Sequence, residues 1–142
     1  QLNQLLHAVF DRHPAMVESR YDEAFLHLRT QCPKRSLVIL TTNVIDEVNA
    51  AQISQYLRSL VGRHLPLGVL LRDHRLFDKA DKRPEGRLEV FQAAAAAEIL
   101  SWRNQVLVDL THSGVLALDV FPEDMTAPLV NQYLQIKARH LL

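Results

Sequence analysis

Apolar residues recur at helical spacing in the first dozen positions. Leu2, Leu5, Leu6, Val9 and Phe10 fall on one stripe, which predicts a short amphipathic helix stopped near Pro14. Ser19 precedes a second such segment, with Tyr21, Phe25 and Leu28 on one face, Cys32 at its end and Pro33 closing it. The pattern then changes. Residues 36–41 are nearly all apolar and β-branched, the mark of a strand buried on both faces, as strands of a parallel sheet are. Asp46 and Glu47 open a third helical segment, whose core face is Ile53, Leu57, Leu60 and Val61. A second buried strand is expected at 67–71.

Residues 72–86 are dense in charge and contain Pro84 and Gly86, so they read as a solvated loop. The longest helix is expected over 88–113, with Leu88, Phe91, Ala95, Ile99, Trp102, Val106 and Leu110 as its stripe. Its alanine run, 93–97, gives a thin surface suited to close packing, and Gly114 fits the position just past its end. A third strand follows at 115–120. The last helix begins around Glu123 and Asp124, acids that suit a helix N-terminus, and presents Leu129, Val130, Tyr133, Leu134 and Ile136 for burial.

Buried strands alternating with helices argue for an α/β fold. Three parallel strands (36–42, 67–72 and 115–120) would be covered on both sides by about five helices. The whole of 1–142 reads as a single domain, since a chain of 142 residues buries one core. Three strands make a short sheet, however, and a buried-type strand at its margin leaves backbone groups unpaired. A homodimer through the open edge of strand 36–42 is one way to cover them.

Composition narrows the partners. Sixteen basic residues balance sixteen acidic ones, so no overall field draws the chain to nucleic acid or to an anionic membrane. The single cysteine, Cys32, excludes an intrachain disulfide and fits a reducing, cytoplasmic setting. Seven histidines are scattered without His-Glu-x-x-His spacing and read as surface or boundary residues. No glycine-rich phosphate loop and no Gly-x-Ser-x-Gly elbow occurs, so neither nucleotide binding nor Ser/His/Asp catalysis has its local mark.

Two stretches carry a family resemblance: Arg35-Ser36-Leu37-Val38-Ile39-Leu40-Thr41-Thr42-Asn43, and the C-terminal Tyr133-Leu134-Gln135-Ile136-Lys137-Ala138-Arg139. Together with Arg63-His64, they resemble the C-terminal half of the von Willebrand factor A-like proteins grouped as "domain of unknown function 58". These are commonly encoded beside MoxR-type AAA ATPases. The resemblance implies a three-layer, Rossmann-like half-domain in which 36–42 is the fold's fourth strand. It also implies a parent protein with a further N-terminal portion and membrane-spanning helices, this part lying on the cytoplasmic side.

The A-like fold often holds Mg²⁺ through an Asp-x-Ser-x-Ser loop, which is not found in these residues, aided by a Thr and an Asp from later loops. By position Ser19 matches the second-loop hydroxyl and Asn43 the third-loop Asp. Asn43 brings no charge, so no cofactor is assigned to the chain itself, and Mg²⁺ is left to the full-length parent. Read without the resemblance, Ser19 and Asp46 are helix N-caps. Thr41, Thr42, Asn43 and Asp46 are the candidate binding residues, because they sit where a strand's carboxyl end meets the expected switch point of the sheet.

The expected function is non-enzymatic: a protein-interaction module acting with a MoxR-type AAA ATPase in assembly or maturation of protein complexes. Two alternatives remain open. One is part of a Mg-dependent adhesion-type site completed by another half; the other is a small α/β enzyme using the same strand ends.

Overall fold

Three runs of branched apolar residues form the sheet. A computed structural model of the chain describes residues 2–13, 19–43 and 47–142. The strands are β1 (Leu37–Thr42), β2 (Leu65–Leu71) and β3 (Leu116–Val120), all parallel, in the order β1-β2-β3. Six helices accompany them among the described residues: α1 (Leu2–Phe10), α2 (Tyr21–Gln31), α3 (Glu47–Leu60), α4 (His74–Asp81), α5 (Arg87–His112) and α6 (Thr126–Ala138). The architecture is the expected open parallel α/β sheet of Rossmann-like type.

Both crossovers step the same way across the sheet, so right-handedness puts α3 and α5 on one face. The main core lies there. Phe25 of α2, Ala50, Ile53, Leu57 and Leu60 of α3, Leu70 of β2, Val106 and Leu110 of α5, and Val115 form a single buried cluster. Each fully buried Leu or Ile contributes about 1.5–3 kcal/mol. Phe25 stacks on Tyr56 with ring centroids 5.0 Å apart, joining α2 to α3.

Gly68, in the middle of β2, is what lets the helices sit so close. A Cβ there would lie 3.3 Å from Leu57 Cδ1 and 3.9 Å from Leu110 Cδ1. Its neighbour in β3 is Ala117, another small residue. At the far end of α5, Gly114 takes φ +81°, the left-handed conformation that ends a helix, as the sequence predicts.

The opposite face carries Leu67 and Val69, both fully buried, and is covered by α6, whose Ile136 is buried. The end of α6 is tied to the start of β1, where Arg35 Nε donates to the Leu141 carbonyl at 3.0 Å. One helix does not span three strands. Ile39, on this face of β1, is therefore 44% exposed, and Thr41 is exposed as well. The reading of 36–41 as buried on both faces is corrected accordingly.

Other expectations also shift. Residues 72–86 are not simply a loop. Asp73 Oδ1 accepts from the Arg75 N–H at 2.9 Å and caps α4, whose Leu76, Phe77 and Ala80 are half-buried. Three apolar positions among so many charges gave too weak a period to announce that helix. On α5 the buried positions are Ala96, Arg103, Val106 and Leu110, while Leu88 and Phe91 are exposed. The first turns of α5 run alongside α4, not over the sheet, so a stripe drawn over the whole helix overreaches. Val61 lies beyond the end of α3 and is exposed, and on α6 Val130, Tyr133 and Leu134 are also exposed, not buried.

His64 departs furthest from the surface reading of the histidines. It is 1% exposed, and neither ring nitrogen has a hydrogen-bond partner among the described residues.

Candidate functional site

Register aligns the carboxyl ends of the three strands. Thr42 pairs with Leu70, and Leu71 pairs with Val120. Asn43, Arg72 and Phe121 therefore leave the sheet side by side and share one rim. Doubly wound sheets bind their ligands at such rims.

Along this rim the sequence candidates separate. Side chains alternate on a strand, so Thr41 and Thr42 point to opposite faces. Thr42 is buried toward the helix layer, where its Oγ1 meets Tyr21 Oη at 3.2 Å. It fixes α2 to the end of β1 and is not itself a contact surface. Thr41 and Asn43 are exposed. Asp46 lies outside the described residues, so its reading as a helix N-cap or a binding residue has no structural counterpart here.

Ser19 is not the N-cap that sequence favours. Arg20 holds that position without a side-chain cap bond, and among the described residues only the Ser19 carbonyl is engaged, by the Tyr21 N–H at 3.1 Å. The capping function gives way to ion pairing, since Arg20 Nη1 reaches Glu23 Oε1 at 2.8 Å. The Tyr21–Thr42 contact brings the α2 start, with Ser19, to the end of β1, with Asn43. Their side chains offer a hydroxyl and an amide, two neutral oxygen donors. A divalent cation needs charged oxygen ligands as well. Among the described residues no group of three His, Cys, Asp or Glu is gathered. This pair alone does not fit Mg²⁺.

The most organised part of the rim lies at β2 and β3. Asp119, the penultimate residue of β3, accepts from Arg103 Nε at 3.1 Å and Nη2 at 2.6 Å through Oδ1. Its Oδ2 accepts from Arg72 Nε at 2.8 Å. Arg103 comes from the buried face of α5 with its side chain only 4% exposed, and its Nη2 also donates to the Leu71 carbonyl at 2.9 Å. One carboxylate thus ties β2, β3 and α5 together. Both of its oxygens are held by guanidinium donors, which take three of its acceptor sites, so it acts as an anchor.

Outside this anchor the aromatic residues stack in turn. The Arg72 guanidinium stands 5.1 Å from the Phe77 ring and 5.5 Å from the Phe121 ring. His74 lies flat on Phe121, with centroids 4.0 Å apart, and its Nε2 meets Glu123 Oε1. That hydrogen bond is the main reason the His74 pKa stands above its ordinary 6.5; the charges of Glu123, Asp78 and Asp73 add to it. Glu123 is lowered from its ordinary 4.5, first by its own backbone N–H and then by His74.

Sequence reading passed over Arg103 and Asp119, although a signal was there. An arginine inside the apolar run Ile99–Trp102–Val106, and an aspartate between Leu118 and Val120, are opposite charges in two buried periodic segments. Charges placed that way are rarely buried unless paired.

A separate cleft of about 390 Å³ lies between α3 and α5, lined by Ala50, Ser54, Arg58, Trp102, Val106 and Asp109 among others. It belongs to the helix layer, whereas the strand-end rim lies at the edge of the sheet. Trp102, half-buried, packs against the core and forms one wall. Among the described residues no helix is long and apolar enough to cross a membrane. Compared with known proteins, the chain matches no family model, no curated protein and no solved structure.

Proposed function

We propose that this chain is a non-enzymatic protein-interaction module that docks through the loops at the carboxyl ends of its strands, residues 41–46, 72–75 and 121–124. The observation that carries this reading is the rim itself. Its β2–β3 portion is held by the Arg72–Asp119–Arg103 anchor and its β1 portion by the Tyr21–Thr42 bond. A surface fixed before contact loses little conformational entropy on binding. The resemblance of residues 35–43 and 133–139 supplies the partner class: a MoxR-type AAA ATPase, met in the cytoplasm, with the pair acting in assembly or maturation of protein complexes. Membership of that family remains part of the proposal.

The test is affinity for such an ATPase with Thr41, Asn43 and Asp46 changed together to Ala. Binding should fall by about tenfold or more, equivalent to roughly 1.4 kcal/mol, with the melting temperature unchanged. Undiminished binding would sink the docking reading.

A second reading is favoured by one observation, the release of Ser19 from capping. In it Ser19 and Asn43 contribute to a Mg²⁺ site whose charged ligands come from another segment packed along β1. The N–H and C=O of Leu37, Ile39 and Thr41 point away from β2, because Ser36 directs its carbonyl toward Leu65 and direction alternates along a strand. That edge could equally accept a second copy of the chain. Calorimetry with Mg²⁺ on a protein carrying the additional segment separates the Mg²⁺ reading from the first.

A further inference from the structure

Around the ends of β2 and β3 several charged side chains are engaged, and one guanidinium is engaged on one edge alone. Asp119 is neutralised by Arg103, which is buried and gives it two N–H bonds. Glu123 is engaged by His74, and Asp73 accepts the Arg75 N–H as the cap of α4. Arg72 is held on one edge only. It donates to Asp119 through Nε alone, and neither of its terminal amino groups has a partner among the described residues. Two guanidiniums share that carboxylate, and the charge on Arg72 keeps a free edge.

That charge is also pre-positioned. The Asp119 bond fixes one edge of the Arg72 guanidinium, and the Phe77 and Phe121 rings flank it at 5.1 and 5.5 Å. Its side chain is 34% exposed, so it is open to solvent in part. An arginine held in this way has already lost most of its rotamer freedom, and its planar fork matches the two oxygens of a carboxylate.

We propose that the free edge of Arg72 is the anchor for a carboxylate presented by the protein partner, an Asp or Glu side chain in an exposed acidic segment laid across the strand ends. This rests on the docking reading above and names the chemistry it recognises. One free guanidinium edge suits a single carboxylate. Asp73 and Glu123 border the same place and would repel the second charge of a phosphate.

The probe is a hexapeptide of alternating glycine and glutamate, titrated while the Arg72 side-chain N–H resonances are followed by NMR. Its glutamine counterpart and inorganic phosphate serve as comparisons. The glutamate peptide should shift Arg72 saturably with a Kd of roughly 1 mM, as befits a single charged contact, and the other two should not. Arg72→Gln, followed through the Phe121 backbone amide, should weaken binding about tenfold. Arg72→Lys, which keeps the charge and loses the fork, should retain part of the affinity, and Lys79→Gln should leave it unchanged. If Arg72→Gln fails to fold, the wild-type titration and Arg72→Lys decide alone. An unshifted Arg72, an equal response to phosphate or to the glutamine peptide, or full affinity in Arg72→Lys and Arg72→Gln would overturn the proposal. The two proposals separate on the ATPase: if Arg72→Gln still binds it while the Thr41/Asn43/Asp46 variant does not, only the carboxylate anchor is wrong.

Discussion

The two sides of the sheet are built to different standards. Between β2 and β3 the chain buries an arginine, satisfies it with a carboxylate and a main-chain carbonyl, and stacks aromatic rings outside. At β1 one bond between hydroxyls, Tyr21 to Thr42, ties the strand end to the helix layer, and Ile39 stands exposed on the other face. Among the described residues β1 and β3 are both edge strands, but at β1 an apolar residue also faces outward, as expected of a surface that meets something else.

The contrast is sharpest in what removal should do. Arg103→Met deletes the buried partner of Asp119 and leaves the Leu71 carbonyl without its donor. Unfolding by urea should show a loss of about 3–5 kcal/mol, the range for breaking one member of a buried ion pair. A loss below about 1 kcal/mol would mean the anchor is no stronger than a surface pair. On the β1 side, Tyr21→Phe removes only the bond to Thr42 and should cost about 1 kcal/mol in the same assay. Ile39→Thr should change stability by less than about 0.5 kcal/mol if that side chain faces solvent. A large loss there would show the β1 face to be covered, and the comparison would fail.

The smallest effect is a titration. His74 is raised by Glu123, so its share of stability is complete below its ordinary 6.5 and is lost as pH climbs through the raised value. Glu123 is lowered, so its share is complete above its ordinary 4.5 and is lost as pH falls through the lowered value. The pair therefore supports the rim best between those two values. Glu123→Gln should return the His74 titration, followed by NMR, toward the ordinary value. An unmoved midpoint would assign the shift to other neighbours.

Much of the fold was legible because burial imposes a period. The strands read at 36–42, 67–72 and 115–120 fall within two residues of β1, β2 and β3 because apolar runs mark them, and Pro33 and Gly114 punctuate the helices as their backbone chemistry demands. Legibility ended where tertiary contacts override local pattern. α4 is a helix because Asp73 caps it and α5 lies beside it, and neither fact is contained in the composition of 72–86. Arg103 and Asp119 each look like flaws in an apolar segment, and they make sense only as a pair sixteen residues apart. At β1 the strand was recognised correctly, but its exposure depends on how many helices reach that face, which no single strand encodes.

Gly68 gives these contacts a common fulcrum. Leu57 and Leu110 rest over the hydrogen it carries in place of a side chain, and Leu110 lies two turns along α5 from Arg103. A wedge inserted at that point, as in Gly68→Val, would tilt the long helix like a lever and swing the guanidinium away from Asp119, disarming the rim without touching any residue on it.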